Sequence, residues 1–362
     1  MTELEKAREI INSVDKEMAN LFAKRMQAVK EVAEYKKLHG LQVFDINREN
    51  QVIERNSKLI EDETLKSYYV EFLRSNMEIS KSYQHRLLEG MRVAFSGVAG
   101  AFANVAANKI FPDAIAVPYP DFKSAYDSVE KGECDAVILP IENSYNGDVG
   151  QVMDLAFFGN LYINGIYDIG IVQNLLAVKD ADIKDIKTVI SHPQALGQCA
   201  EYIKKQGFLT EEAVNTAVAA KYVAESGRRD IAAIASDEAA EKYGLNKLES
   251  HINESNSNTT RFAVFSRTAK TPSTADNHFI MLFTVTNEAG SLGKAISIIG
   301  ENGFNLKALK SRPTKELIWS YYFYAEGEGN INSENGVKML KELEGKCSDV
   351  RVIGSFEKEI IL

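Results

Sequence analysis

Cysteine is scarce in this chain: three in 362 residues, at Cys134, Cys199 and Cys347, with no C-x-x-C pair. Such scattered thiols argue against a disulfide framework and fit a reducing compartment, so a cytoplasmic location is expected. The five histidines form no H-E-x-x-H, and no G-x-x-x-x-G-K-[ST] loop occurs. The commonest zinc and nucleotide signatures are therefore missing, and no metal or organic cofactor is expected. Positive charge is in deficit: 42 Lys and Arg against 51 Asp and Glu give a net charge of −9, the wrong sign for a nucleic-acid surface. No apolar run reaches the length of a membrane span, and the opening MTELEKAREI has no apolar signal core. What is present is 45% hydrophobic and 26% charged, an ordinary globular composition. A chain this long exceeds one core, so two or three domains are expected.

Residues 3–39 contain no Gly or Pro, and apolar side chains recur with heptad spacing at Leu4, Ala7, Ile11, Val14, Met18 and Leu21, then Ala28 and Val32. The pattern predicts one helix of about 55 Å that stops at Gly40. Asp45 is placed to cap a second helix over 46–60, and Thr64 to open a third that runs to residue 89. The polar residues inside the apolar stripes are the informative ones. Arg25 occupies the heptad column of Leu4, Ile11, Met18 and Val32, and Lys36 lies three turns on, near the same face. On the third helix, Ser80 and Gln84 interrupt the apolar face of Leu73, Met77, Leu87 and Leu88. One such residue is an ordinary snorkelling side chain. Four converging ones predict a polar pocket in a bundle, because charge enters a core only when paired or ligating. Arg8 precedes Arg25 by seventeen residues, about 25 Å along a straight helix, too far to share a small ligand with it. Antiparallel pairing of two long helices would bring Arg8 to the pocket of a second chain, so a homodimer or a dimer of dimers is expected.

These residues resemble the all-helical chorismate mutases: R-x-x-I from Arg8 followed by Asp15, Lys24 with Arg25, Lys36, D-I-N-R-E from Asp45 to Glu49, and Ser80 with Gln84. The resemblance implies that Arg25, with Arg8 from a second chain, binds the two carboxylates of chorismate. It implies that Lys36 and Gln84 face the ether oxygen, that Arg48 helps to bind, and that Asp45, Glu49 and Ser80 hold the hydroxyl or the carboxylate surround. The chemistry agrees. A pericyclic rearrangement needs a fixed chair-like conformer and positive charge where negative charge develops, and no nucleophile.

Between residues 91 and 267 the apolar runs MRVAFSG, VILPIEN, TVISHPQ, AAIAS and RFAVFS alternate with helical stretches, the rhythm of an α/β fold. Two lobes are expected, residues 91–167 with a strand returning at Phe262, and residues 171–248. The turn holding Gly97 and Gly100 opens a helix near Phe102 and can present backbone N–H groups to an anion. Three polar strings end strands: IENSYNG over 141–147, SHPQALGQC over 191–199, and NTTRF over 258–262 within the stretch 255–265. Singly, each is a turn-rich loop. In this order and frame they resemble prephenate dehydratase. The resemblance implies that Thr260 assists departure of the ring hydroxyl, with Glu142 a candidate proton source and Asn258 and Arg261 in the same catalytic string. Asn143 and Ser144 would line the cleft with Glu142, opposite Ser191, His192, Gln194 and Gln198. Arg261 is the only charge in residues 255–265, so any anion held there is expected on it. One departure is the loop from Gly97 to Ala103, which lacks the family's proline and hydroxyl residues; only backbone contacts are expected from it. His192 is expected to hydrogen-bond rather than to act as a base.

After a polar linker at 267–277, the order strand, helix, strand, strand, helix, strand follows, with the strands HFIMLFTVT, NLKALKS, LIWSYYFYAE and DVRVIGSF and helices over 291–302 and 333–346. That is the ferredoxin-like βαββαβ plan. It resembles an ACT domain, with Gly290, Ser291 and Leu292 in the place of G-A-L and Ser311, Arg312 and Pro313 within the E-S-R-P motif, where Lys310 replaces the acidic residue. The resemblance implies phenylalanine as effector; the alternative is a dimerising domain without one.

The expected protein is multidomain: an all-α three-helix chorismate mutase domain (1–90), an α/β two-lobed prephenate dehydratase domain (91–268) and an α+β ferredoxin-like ACT domain (277–362). It would turn chorismate into prephenate and prephenate into phenylpyruvate, with phenylalanine regulation. The rival is a two-lobed sensor that binds such metabolites without turnover.

Overall fold

The computed structural model describes residues 2–254, 258–314 and 320–362. The start of the stretch singled out above, 255–257, and the expected strand start at 317–319 lie outside the described residues. The chain divides into two compact units, Met1–Arg92 and Val93–Leu362. Among the described residues no helix is long and apolar enough to cross a membrane.

The first unit is three helices. Helix α1 spans Glu3–Leu38 and opens on a reciprocal capping box between Thr2 and Glu5; acidic Glu3 and Glu5 sit at its start and basic Lys36 and Lys37 at its end, each favoured by the helix dipole. Helix α2 spans Ile46–Ser57, three residues shorter than expected, and Asp45 caps it by accepting from the Arg48 N–H at 3.0 Å. Helix α3 spans Glu63–Glu89. Its cap is Asp62, which accepts from Leu65 N–H at 2.8 Å, so the cap expected at Thr64 is supplied two residues earlier. Helices α1 and α2 both pack on α3. Only Ala33 of α1 is buried, while Leu4, Ile11 and Met18 of its apolar column are 59%, 57% and 44% exposed.

The second unit begins with β1 (Arg92–Ser96), α4 (Phe102–Ile110), β2 (Ile115–Tyr119), α5 (Phe122–Glu130), β3 (Ala136–Asn143), the short β4 (Gly147–Asp148), α6 (Gly150–Phe158) and β5 (Tyr162–Gly170). A second lobe follows: β6 (Asn174–Ala177), β7 (Thr188–Ser191), α7 (Pro193–Gln198), α8 (Ala200–Gln206), β8 (Leu209–Glu212), α9 (Thr216–Ser226), β9 (Ile231–Ala235), α10 (Asp237–Tyr243) and β10 (Asn246–Glu249). The chain then returns as β11 (Thr259–Ser266) and continues through β12 (His278–Thr284), α11 (Ser291–Glu301), β13 (Asn305–Pro313), β14 (Tyr321–Glu328), α12 (Glu334–Glu344), β15 (Asp349–Phe356) and β16 (Ile360–Ile361). The second lobe is a five-stranded sheet in the order β10-β6-β9-β7-β8. Its β9, Ile-Ala-Ala-Ile-Ala, is buried on both faces, which is why it reads as an unbroken apolar run rather than an alternating one.

The first lobe and the βαββαβ segment share one sheet in the order β13-β14-β12-β15-β5-β11-β3-β1-β2. Strand β15 joins β5 through one register pair, Gly354 with Ile163, and β16 adds Ile360 with Tyr167 and Ile361 with Asp168. A Cβ on Gly354 would stand 2.7 Å from the Ile163 carbonyl oxygen, so only glycine permits this approach. One apolar core runs across the join: Ala263 and Phe265 of β11 pack in the same cluster as Ile280, Tyr322, Tyr324 and Ile353.

Where β11 pairs with β3, the register slips. Thr260 opposes Asn143 and Arg261 opposes Glu142, but Phe262 opposes Pro140. Ile141 is thus the extra residue of a β-bulge, which resets the alternation of β3.

Candidate active sites

In the first unit a cavity of about 280 Å³ is lined by Arg25, Lys36, Asp45, Arg48, Glu49, Ser80 and Gln84, together with apolar Val29, Val32, Val52 and Met77. Seven of the eight polar residues expected at this pocket therefore meet. Arg8 does not: it lies exposed, near the start of α1. The Arg25 guanidinium donates to the Ser80 hydroxyl and to the Asn76 carbonyl at 3.4 Å, and burial holds its pKa below the ordinary arginine value. Lys36 Nζ donates to the Val43 carbonyl at 2.6 Å, which draws the last turn of α1 to the segment before α2. Gln84 is 6% exposed; its Nε2 donates to the Ser80 carbonyl at 3.3 Å and its Oε1 has no partner among the described residues. Lys81 also lines the cavity, held by Glu49 at 2.9 Å and Glu78 at 2.6 Å with its ammonium 5.0 Å from the Phe44 ring centre. Sequence reasoning passed over Lys81 because it follows Ser80 directly and breaks the three-and-four spacing.

The second site is a cleft of about 390 Å³ between the two lobes of the second unit. Asn143, His192, Gln194, Gln198 and Thr260 line it. So do Phe102, Phe122, Pro140, Val149 and Phe262, which make it largely apolar, and among the described residues no Lys, Arg, Asp or Glu lines it. The bulge explains the β3 contribution. Pro140 and Asn143 are three apart and would face opposite sides of a regular strand; with Ile141 inserted, both face the cleft.

Asn143 sets the state of Thr260. Its Oδ1 accepts from the backbone N–H of Tyr145 at 3.0 Å and of Asn146 at 3.1 Å. Those obligatory donors fix which end of the amide is oxygen. The NH2 end then donates to Thr260 Oγ1 at 2.9 Å and to Asn258 Oδ1 at 3.1 Å. A hydroxyl that already accepts one hydrogen bond keeps its own proton for another partner. Asn258 is 4% exposed, and its Nδ2 has no partner among the described residues. His192 is the N-cap of α7 and accepts from Gln194 N–H at 3.2 Å through Nδ1.

Five of the residues expected here are not among the lining residues, and the first is Asn258, which accepts from Asn143 without lining the cleft itself. Ser191 is fully buried and donates to the Ile234 carbonyl at 2.6 Å. Ser144 is exposed and its Oγ accepts from Thr259 N–H at 3.0 Å, stitching β3 to β11. Arg261 and Glu142 do not line the cleft, which corrects the expectations that Arg261 holds an anion there and that Glu142 supplies a proton. The reason is strand geometry: Thr260 faces the cleft, so its neighbour Arg261 faces away. On that far side Arg261 meets Glu142 at 2.8 Å, Glu326 at 2.7 Å, Asp168 at 3.7 Å, and Glu359. Burial opposes the charge on Arg261, but Glu326, Glu142 and Glu359 outweigh it and its pKa is raised. Burial likewise raises the Glu142 carboxyl, but Arg261 and Lys310 prevail and hold it below the ordinary value, so Glu142 is ionised near neutrality.

Gln173, Asn215 and Thr216 also line the cleft without having been expected there. Gln173 is 2% exposed and donates to Gln198 Oε1 at 3.3 Å, and its own Oε1 has no partner among the described residues. Asn215 caps α9 by accepting from Val218 N–H at 2.8 Å; the polar pair before the apolar AVAA run is a helix-start signal that identifies it. Gln173 carries no comparable local signal.

The fold and the two sites define a two-part catalyst: a helical bundle with a cationic pocket, followed by a two-lobed α/β unit with an apolar cleft. The family model for chorismate mutase type II matches residues 7–85, and that for prephenate dehydratase matches residues 93–270. The bifunctional chorismate mutase/prephenate dehydratase of Aquifex aeolicus (strain VF5) is 30% identical over 100% of this chain and 99% of its own length. Arogenate dehydratase/prephenate dehydratase 2, chloroplastic, of Arabidopsis thaliana is 35% identical over 74% of this chain and 72% of its own. The crystal structure of prephenate dehydratase in complex with L-Phe from Arthrobacter aurescens superposes with a TM-score of 0.69 at 26% identity, covering 74% of this chain and 90% of that one. The chain belongs to the bifunctional chorismate mutase/prephenate dehydratase family. It is an enzyme with both activities.

Proposed function

We propose that the cationic pocket of the first unit rearranges chorismate and the cleft of the second unit dehydrates and decarboxylates the prephenate it yields, under control of L-phenylalanine. The observation that carries the first assignment is the convergence of Arg25, Lys36, Arg48 and Gln84 on one cavity. Arg25, with Arg8 of a second copy, holds the two carboxylates and Arg48 helps to bind, while Lys36 and the Gln84 amide N–H meet the ether oxygen as its bond breaks. Asp45, Glu49 and Ser80 fix the surround. The division of labour is residues 1–90 for the mutase, 91–268 for the dehydratase and 277–362 for an ACT-type regulatory domain.

In the cleft, Thr260 donates a hydrogen bond to the leaving ring hydroxyl and polarises it, and Asn143 supports Thr260 from behind. Gln194, Gln198 and His192 bind and orient the substrate, while Asn258 holds the Asn143 amide in place. With no cation in the lining, a carboxylate is held by backbone N–H groups: α4 starts at Phe102 with no side-chain cap, and Ala101, Phe102 and Ala103 line the cleft. An apolar site of this kind favours loss of CO2, because the carboxylate charge spreads into the ring as the bond breaks.

The effector reading rests on the βαββαβ order and on the phenylalanine bound by the Arthrobacter relative. Gly290, Ser291 and Leu292 start α11, while Ser311, Arg312 and Pro313 end β13. Arg312 pairs with Asp154 at 2.7 Å and 3.0 Å, and an effector that recruits Arg312 competes with that pair. Purified protein given chorismate is expected to release phenylpyruvate, and L-phenylalanine to slow the second step more than the first. Chorismate binding without turnover would favour the sensor reading instead.

The exposed apolar column of α1 fits a second copy of the chain, which brings its Arg8 to the pocket. Chains with Arg8→Ala and chains with Arg25→Ala are each expected to be nearly inactive as mutases. Unfolded and refolded together at equal amounts, they are expected to regain about a quarter of wild-type activity, because half of randomly paired dimers carry one intact site of two. No recovery in the mixture would mean that Arg8 acts within its own chain or not at all.

A further inference from the structure

The charged cluster on the far side of β11 is larger than a strand crossing requires. Arg261 draws carboxylates from four other strands or segments: Glu142 of β3, Asp168 of β5, Glu326 of β14, and Glu359 just before β16. Lys310 of β13 reaches the same group, at 2.5 Å from Asp148 and 3.2 Å from Glu142. Lys307 holds Glu359 at 3.0 Å, and the buried Tyr324 hydroxyl donates to Glu326 at 2.8 Å. The side chains of Arg261, Glu326, Glu359 and Lys310 are 17%, 5%, 18% and 15% exposed, so solvent screens these pairs far less than surface ones.

Two of the residues gripped are the backbone neighbours of the two that meet in the cleft. Arg261 follows Thr260, and Glu142 precedes Asn143. Thr260 and Asn143 are register partners, as are Arg261 and Glu142, at the very end of the ladder beside the bulge. The bulge weakens the β3–β11 pairing locally, and although β5 and β4 hold the outer edges of these two residues, the ion pairs on the opposite face fix β3 and β11 against each other.

We infer that the Arg261 cluster is a positioning device for the Thr260–Asn143 pair, and that Glu359 and Lys310 are positioning residues through which the βαββαβ segment sets the dehydratase step. The inference rests on the reading of Thr260 as hydrogen-bond donor to the leaving hydroxyl. None of these charged groups touches substrate. They act by fixing two strand ends from behind, and β16 contributes by pairing Ile360 and Ile361 with β5 so that Glu359 is delivered to Arg261.

The test is steady-state kinetics of both activities on the full-length chain. Glu359→Gln is expected to lower dehydratase kcat about tenfold while the KM for prephenate stays within twofold, because the donor is misdirected and not the binding groups. Glu359→Asp is expected to restore most of the loss. Lys307→Met, which removes the other partner of Glu359, is expected to act in the same direction more weakly, and Lys310→Met to resemble Glu359→Gln. Chorismate mutase turnover in the same preparations is expected to be unchanged. An unchanged kcat in both Glu359→Gln and Lys310→Met, or a rise in KM alone, overturns the inference. Thr260→Val measured alongside separates the two ideas: if it stays active, the reading of Thr260 falls first; if it is inactive while the cluster variants are normal, only the positioning role falls.

Discussion

Thr260→Val is expected to lower phenylpyruvate formation from prephenate by roughly 10³-fold, about 4 kcal/mol, while chorismate consumption by the same protein is unchanged. Valine keeps the shape of threonine, so the loss measures the hydroxyl. The ring hydroxyl of prephenate is a poor leaving group. As the bond to CO2 breaks, the electron pair moves through the ring and expels that oxygen, which needs a hydrogen-bond donor at that moment. Thr260 is poised to be the donor because Asn143 already occupies one of its acceptor positions at 2.9 Å. Its ordinary acidity is far too weak for free proton release, so its contribution is polarisation of the departing oxygen in a cleft that excludes water. Asn143 loses only one of its acceptors in the variant, with Asn258 Oδ1 at 3.1 Å and the Thr259 carbonyl at 3.2 Å still in place. The cost to folding is therefore about 1 kcal/mol, and a thermal melt close to wild type is expected. Thr260→Ser, which keeps the hydroxyl, is expected to retain most activity. Equal loss of mutase and dehydratase turnover in Thr260→Val would contradict separate sites.

How much of this was legible in the sequence depended on whether the signal was periodic. Arg25, Lys36, Ser80 and Gln84 stood out because each occupies a position that a helix of period 3.6 would otherwise fill with an apolar side chain, and the structure brings all four to one cavity. The strand-ending strings around Asn143, His192 and Thr260 were legible as loops at the mouth of a sheet, and these three residues line one cleft. Glu142 and Arg261 were misjudged for reasons internal to a strand. Adjacent residues point to opposite faces, so Thr260 at the cleft puts Arg261 behind it. The bulge at Ile141, which leaves Glu142 on the far side while Pro140 and Asn143 face forward, has no mark in the sequence IENSYNG. The carboxylates that claim Arg261 come from Glu326 and Glu359, some 65 and 98 residues further along the chain, and such pairings are invisible to any local pattern. Gln173 escaped notice because nothing about a glutamine between two apolar segments marks it as buried.

In the other unit, Lys36→Ala is expected to lower chorismate mutase kcat by roughly 10³-fold, again about 4 kcal/mol, with KM raised less than tenfold. The rearrangement breaks a C–O bond with little help from proton transfer, so the enzyme gains only by holding the chair-like conformer and by stabilising charge on the ether oxygen. Arg25 and Arg48, with the proposed Arg8 of a second copy, remain in the variant to bind substrate, which protects KM. The ammonium is what is lost, and its value is greatest in the transition state, where the oxygen is most negative. Lys36 Nζ is held by the Val43 carbonyl at 2.6 Å, so the charge is preorganised rather than recruited when substrate arrives. Lys36→Arg is expected to recover little, since the bulkier guanidinium cannot take up the place of a compact ammonium in a cavity of about 280 Å³. Supplying prephenate directly bypasses the defect, and phenylpyruvate is then expected at the wild-type rate. A variant whose KM rises by the full factor while kcat is preserved would assign Lys36 to ground-state binding and leave the ether oxygen to Gln84 alone.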